Sequence, residues 1–190
     1  MYLSKLVLDR RKASNPYQIH RLLWRAFPGM PDENRPFLFR VNWGQAGSPL
    51  QILMQSRIQP AQPDESSCRL LAQKPVELNL RKGQVLRFAL CANPIKFLKE
   101  ERCRVPLIDD QQILDWLKRK LDSAVETLDA QLEGRKNLFF RRNGQAGKIV
   151  TVNLSGVLRV RDNEGLLRLI ERGIGPAKSF GCGLMLLRRV

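Results

Sequence analysis

Phe139-Phe140-Arg141-Arg142-Asn143-Gly144-Gln145-Ala146-Gly147-Lys148-Ile149-Val150-Thr151-Val152 reads as two extended runs joined at Asn143-Gly144. Asn-Gly is a strong hairpin signal because both residues tolerate the positive φ of a tight turn, and the flanking runs hold aromatic and β-branched residues suited to strands. Upstream, Ile113, Leu117, Leu121, Ala124 and Leu128 recur at spacings of three and four, predicting a long helix that begins at Asp109-Asp110. Before it, Arg102 to Ile108 is extended. Downstream, Leu166, Leu167 and Ile170 mark a short helix, and the loop Gly173–Gly183 leads into the apolar run Leu184-Met185-Leu186-Leu187. The order is β-α-β-β-α-β.

The first half repeats that order. Residues 2–9 form an apolar strand, and Asn15-Pro16 supplies an N-cap with proline at the first helical position, starting a helix that runs to about Phe27 and ends at Pro28-Gly29. Phe37–Trp43 and Gln51–Arg57 follow as strands around a turn at Gly44, Gly47 and Ser48-Pro49. Residues 60–67 are a loop, 66–72 a candidate short helix, and 84–92 a strand that closes the half. The expected fold class is α+β, two tandem ferredoxin-like (RRM-like, βαββαβ) domains at 1–93 and 94–190. The RRM version of this topology is a common RNA-binding platform.

Lys and Arg total 33 against 18 Asp and Glu, a net charge of +15 over 190 residues. Charge that far from zero repels itself in a folded chain and points to an anionic partner, nucleic acid first. With 43% hydrophobic and 27% charged residues, the composition is that of a globular protein rather than a disordered tail. No apolar run nears the ~20 residues of a membrane span. The N-terminal segment lacks the layout of a secretory signal, so the cytoplasm is the expected location and no membrane partner is expected. Cys68, Cys91, Cys103 and Cys182 have no C-x-x-C spacing; reduced, mainly packing thiols are expected, with no metal site. Cys182 has no sequence-local base and is not taken as a nucleophile.

The chain has one histidine, His20. On the helix from Asn15 the apolar stripe is Ile19, Leu22, Leu23, Ala26 and Phe27, and Tyr17, His20 and Trp24 line one margin of it. Tyr17 and His20 are i,i+3 neighbours. An imidazole there suits general acid or base work on a phosphodiester. It equally fits a surface histidine on an amphipathic helix, with Tyr17 and Trp24 as packing aromatics. Arg25 has the charge to offset a pentavalent phosphate, but an ideal helix turns it away from His20, so only a bent helix end brings the two together.

Met1–Lys5, Tyr17-Gln18-Ile19-His20 with Leu23-Trp24 and Phe27-Pro28, Ala92–Lys96, Arg102–Ile108, Gly147-Lys148 and Gly173–Leu184 occur in that order over the whole chain. This series resembles the CasE family, the CRISPR RNA-processing endoribonuclease subunit of the bacterial Cascade complex. The resemblance implies cleavage of the CRISPR repeat hairpin RNA at the base of its stem. In that reaction the ribose 2′-OH attacks the scissile phosphate without a metal or other cofactor, leaving a 2′,3′-cyclic phosphate and a 5′-OH. It implies His20 as the catalytic histidine and Tyr17 as a tyrosine near the cut, with Arg25 at a position of varying basic character. The loop Gly173, Gly175, Lys178, Ser179, Gly181 and Gly183 matches the family's glycine-rich RNA-binding loop. The partners implied are the repeat RNA and the other Cascade subunits, including the backbone subunit, with the product retained.

For the RNA surface, Arg141, Arg142 and Lys148 flank the hairpin tip where a duplex groove and its phosphates would lie. Arg102 and Arg104 alternate on an extended segment and rank second. Asp109-Asp110 is the nearest acidic pair and reads as a helix cap rather than a cation site. Two readings compete with a metal-independent endoribonuclease: a non-catalytic RNA-binding module in which His20 is incidental, and a basic scaffold that binds RNA only to enter an assembly.

Overall fold

The computed structural model describes residues 1–30, 35–45, 47–63, 67–142 and 144–190. The chain divides into two compact units. The first comprises Met1–Glu77 together with Phe139–Lys148 and Ser179–Gly181; the second comprises the remainder from Leu78 onward.

In the first unit the elements are β1 (Tyr2–Leu8), α1 (Pro16–Trp24), β2 (Phe37–Asn42), β3 (Leu50–Ser56) and β4 (Cys68–Pro75). They form one sheet in the order β2-β3-β1-β4, the ferredoxin-like order. Every pairing in it is antiparallel: Tyr2 faces Ser56 and Leu8 faces Leu50, while on the other side Leu8 faces Cys68. Leu6 and Leu8 of β1 and Leu50, Ile52 and Met54 of β3 alternate inward. They meet the expected helix stripe, Ile19, Leu22, Leu23, Ala26 and Phe27, all of it buried. Each large side chain removed from water there contributes about 1.5–3 kcal/mol. The helix is shorter than the expected run to Phe27. After Trp24 the amides of Arg25, Ala26 and Phe27 bond three residues back, tightening the chain toward Pro28 and Gly29.

The second unit holds β5 (Val85–Ala92), β6 (Ile95–Leu98), β7 (Cys103–Pro106), α2 (Asp110–Leu121), β8 (Val125–Arg142), β9 (Gln145–Val160), α3 (Asn163–Arg172), a 3-10 turn at Lys178–Phe180 and β10 (Met185–Arg189), apart from the segments already given to the first unit. Its sheet order, β10-β5-β9-β8, is the same ferredoxin-like order. Leu86, Phe88 and Leu90 of β5, Ile113, Trp116, Leu117 and Leu121 of α2, and Leu166 and Ile170 of α3 are all buried. Asp109 caps α2, its Oδ1 accepting the Gln112 N–H at 2.9 Å. Among the described residues no helix is long and apolar enough to cross a membrane.

Several expectations about elements are corrected. The candidate helix at 66–72 is strand β4 from Cys68 on; Ser66, with the rest of 64–66 in the predicted loop, lies outside the described residues. The strand β4 escapes pattern reading because only Cys68 in it is buried; as an edge strand it shows no alternation. The strand at 84–92 does not close the first half. It is the first strand of the second sheet, hydrogen-bonded to β9 and β10. The units accordingly part after Glu77, where the sequence reading parts the halves after Asn93. The extended run 102–108 is the short hairpin strand β7, with Arg102 outside it in a turn at φ +48°. Ala124 and Leu128 lie beyond the end of α2; Ala124 is buried before β8, and Leu128 is on β8 with 41% exposure. All four cysteines are free thiols, Cys68 and Cys182 buried, as expected for packing residues.

Close approach of β8 and β9 rests on Gly156. A Cβ there would stand 2.1 Å from the Asp129 carbonyl oxygen, a backbone atom that cannot swing aside. Gly156→Ala is therefore expected to destabilise the protein by about 1–3 kcal/mol in urea unfolding. Gly134→Ala, on β8 with nothing within 4 Å, should be neutral or slightly stabilising. Equal effects of the two would contradict this account.

Candidate active site

Asn15 sets the start of α1. It is extended at φ −97° and ψ 123°, and its Oδ1 accepts the Tyr17 N–H at 3.1 Å. With the helix phase so fixed, His20 falls at the border of the buried stripe, half-buried. Its ring stands 5.7 Å from Phe37, 6.5 Å from Phe39 in a stacked arrangement and 6.1 Å from Trp24 edge-on. Phe37 and Phe39 share a face of β2 because they are two residues apart. Phe37 stacks in turn on Phe27 at 5.2 Å. The imidazole is thus held by three aromatic neighbours, one of them its own i,i+4 partner Trp24. Its Nε2 is buried, so proton exchange at that atom requires a covering group to move. Tyr17, half-buried, lies one turn earlier on the same margin.

Arg25 is elsewhere on the helix. It keeps helical dihedrals, φ −66° and ψ −16°, so the helix end does not bend. Five residues on from His20 it is turned by about 140°, exposed, and beside Gln18 and Arg21. Burial pushes the Cys68 thiol up to about 11, with Arg25 pulling against it. Cys68 is therefore a protonated packing residue at neutral pH.

The end of the β8–β9 hairpin belongs to the same unit as His20. Asn15 Nδ2 donates to the Arg141 carbonyl at 2.7 Å, so one carboxamide both caps α1 and holds the hairpin. Phe140 packs on Phe180 at 4.6 Å and covers Gly147, where a Cβ would meet the ring at 2.3 Å. Arg141 and Lys148 are exposed, and the Lys148 ammonium lies 5.9 Å from the centroid of the Phe139 ring. Only the backbone of Arg142 is described, and Asn143 lies outside the described residues. Ser179 and Gly181 also belong here. Gly181, at φ +87°, sits against Phe39 and Val41, each 3.3 Å from the position a Cβ would take. Gly181 and the His20 ring therefore share Phe39 as a neighbour.

The other predicted residues lie in the second unit. Gly173 is the C-cap of α3, its N–H bonded to the Leu169 carbonyl at 2.9 Å. Gly175 lies on the Trp116 ring, 2.8 Å from its would-be Cβ. Gly183 donates to the Cys91 carbonyl at 2.8 Å and accepts from the Ile174 N–H at 2.9 Å. Lys178 donates to the Arg172 carbonyl at 2.6 Å and so holds the last turn of α3. The Cys182 thiol is raised well above its ordinary value by its hydrogen bond with Cys91 and by burial, which leaves it unreactive as a nucleophile. Arg104 is exposed on β7 opposite Phe97, itself 59% exposed. The sequence reading missed Phe37, Phe39, Phe140 and Phe180 as the packing that positions the site. Only the Phe37-x-Phe39 alternation was available as a signal.

The family described as CRISPR associated protein matches residues 1–189, and the chain belongs to it. It is 38% identical to the CRISPR system Cascade subunit CasE of Escherichia coli K12, over 98% of both chains. It is 33% identical to the CRISPR-associated endoribonuclease Cse3 of Thermus thermophilus, over 97% of this chain and 98% of that one. A solved structure of CRISPR endoribonuclease Cse3 bound to 19 nt RNA superposes with a TM-score of 0.88 at 32% identity, covering 99% of this chain and 100% of that one.

The two hydrogen bonds of Asn15 are separable. Asn15→Asp keeps the cap acceptor and removes the donor to Arg141, whereas Asn15→Ala removes both. Asn15→Ala should cost about 1 kcal/mol of stability and Asn15→Asp much less. Both should speed hydrogen exchange at the amides of the hairpin end. Unchanged exchange in both variants would show that Asn15 does not hold the hairpin.

Proposed function

We propose that this member of the CRISPR-associated family is a metal-independent endoribonuclease. It cuts CRISPR precursor RNA at the base of the repeat hairpin and stays with the mature guide RNA as a subunit of Cascade, beside the backbone subunit and the others. Relatives of near-full-length similarity support this: one is named a Cascade subunit, another an endoribonuclease, and the latter has been solved with RNA bound. The observation that carries the reading in this chain is the setting of His20. The only imidazole stands at the margin of α1, in the same unit as the exposed cations of the hairpin end and as Gly181. The cytoplasm is the proposed compartment.

The reaction is a transesterification. The 2′-oxygen bonds to phosphorus, the bond from phosphorus to the 5′-oxygen breaks, and the proton lost from the 2′-OH is matched by one delivered to the leaving 5′-oxygen. His20 carries one of these proton transfers and Tyr17 lies beside the reacting phosphate. Rigid seating of the RNA aligns the 2′-OH in line with the leaving oxygen. Arg141, Arg142 and Lys148 hold the stem through its phosphates, with Arg102 and Arg104 as further contacts. In the loop, Gly173, Gly175, Gly181 and Gly183 shape the RNA surface while Lys178 and Ser179 supply polar contacts. One observation favours the reading of an RNA-binding subunit without catalysis: His20 Nε2 is buried against its neighbours.

A labelled repeat hairpin incubated with excess EDTA separates the two. The nuclease reading expects one cut with a 2′,3′-cyclic phosphate and a 5′-OH. His20→Ala should slow single-turnover cleavage by about 10²–10⁴-fold with hairpin affinity kept. His20→Asn, closer in size, controls for loss of packing. Wild-type rates in both variants would remove His20 from the mechanism, and binding without any cut by the wild type would favour the non-catalytic subunit.

A further inference from the structure

We infer that the open face of the second sheet, around Arg87, Arg188, Asp129 and Glu133, is a docking groove for a segment of a neighbouring protein subunit. The inference rests on the Cascade-subunit reading above and names a surface that serves it. The groove has a volume of about 430 Å³ and lies wholly in the second unit.

Strand alternation builds it. Leu86, Phe88 and Leu90 of β5 are buried, so Arg87 and Ala89 between them point to the other face. Residues directly opposite on neighbouring strands share a face. Arg188 and Leu186 of β10 therefore stand beside Arg87 and Ala89, and Val157 and Ser155 of β9 stand on their other side. Gln131 of β8 donates to Ser155 Oγ at 3.3 Å, which puts Gln131 on this face, with Asp129 and Glu133 two residues to either side. The result is a row of cations on β5 and β10, a row of carboxylates on β8, and a floor of small side chains between them.

These charges are not matched inside the chain. Arg87 and Arg188 are Cα partners across the β5–β10 ladder, and like charges set directly opposite repel. Both are exposed, and neither pairs with a carboxylate among the described residues. Asp129 and Glu133 likewise have no cation partner among them, although Arg159 of β9 pairs with Glu126 of β8 at 3.1 Å. RNA does not fit this groove. The two carboxylates would repel its phosphates, and no outward ring offers a base a stacking surface: Phe88, the one aromatic residue lining the groove, is 3% exposed. In a chain of net charge +15, a groove lined by two arginines and two carboxylates is balanced. Such a bipolar surface is complementary to protein, whose segments carry both signs. Strands lie about 4.8 Å apart, so with β9 between β5 and β8 the two rows are ~10 Å apart. The segment that fits carries a carboxylate over Arg87 and Arg188, whose paired forks can hold it. It carries a basic residue over Asp129 and Glu133, about 10 Å away, as at positions i and i+7 of a helix.

The test follows release of the labelled chain from two places: the complex assembled with the other Cascade subunits of its own system, and the repeat hairpin RNA alone. Excess free hairpin captures what leaves. The wild type should leave the complex more slowly than it leaves the RNA. Arg87→Gln with Arg188→Gln, and separately Asp129→Asn with Glu133→Gln, should each speed release from the complex roughly tenfold and leave release from the RNA unchanged. Neutralising either row removes repulsion between like charges, so neither variant endangers the fold. Arg87→Lys with Arg188→Lys, which keeps the charge, should stay close to the wild type. If neutral arginines speed release from the RNA and neutral carboxylates slow it, RNA occupies the groove and the proposal is wrong. Unchanged release from the complex in both variants also refutes the groove and leaves the Cascade reading standing. A wild type never recovered in the complex refutes the reading and the groove together.

Discussion

The site depends on how closely backbone can approach one ring. Phe39 is fully buried on β2. The imidazole of His20 stacks on it, and Gly181 lies against it with room for no more than a tight Cβ. Gly181 also has φ +87°, a conformation a side chain resists. A larger residue there would push on Phe39, and through Phe39 on the histidine. The need for glycine in the C-terminal loop and the position of His20 are thus one packing constraint, met by residues far apart in sequence.

The same economy applies to charge. A net +15 overstates the charge available to an RNA, because several cations are committed within the fold. Arg10 gathers loop carbonyls, Arg135 pairs with Asp110, and Arg159 pairs with Glu126 at 3.1 Å. What distinguishes the cations of the hairpin end is placement: Arg141 and Lys148 are exposed in the unit that holds His20. Counting charge identifies the class of partner; only the fold says which charges meet it.

Chemistry was legible in the sequence wherever it is local. Asn15-Pro16 and Asp109 announce their helices because a cap is made within three residues, and the stripe from Ile19 to Phe27 is buried as its spacing says. The second sheet was harder. Val85–Ala92 alternates like any strand, and nothing in it tells which sheet it joins, because that is decided by pairing with Met185–Arg189 and with β9. The strand Cys68–Pro75 was hidden by its exposure as an edge. That Tyr17 and His20 fall half-buried on one margin of α1 was readable from helix phase. The aromatic packing of the hairpin end and the glycine loop was not, since Phe140 and Phe180 are forty residues apart in sequence and no periodicity links them. Lys178 stands in the loop that the resemblance assigns to RNA, and no local pattern tells that its ammonium also donates to the Arg172 carbonyl.

The two sheets share one topology but not one manner of completion. Among the described residues the connection from β3 to β4 carries no helix, so α1 is the only helix on the first sheet. The remainder of that unit is supplied by Phe139–Lys148 and Ser179–Gly181. Those segments come from the second half of the chain, and the later one ends only nine residues before Val190. Contacts between residues this far apart form late, because the intervening chain must first be ordered. The three rings around His20, those of Trp24, Phe37 and Phe39, are present early, but the backbone that lies against Phe39 arrives only when Gly181 has been synthesised. The N-terminal half therefore carries the imidazole, its helix and its three rings, and a chain interrupted before the glycine loop would lack only the backbone that lies against Phe39.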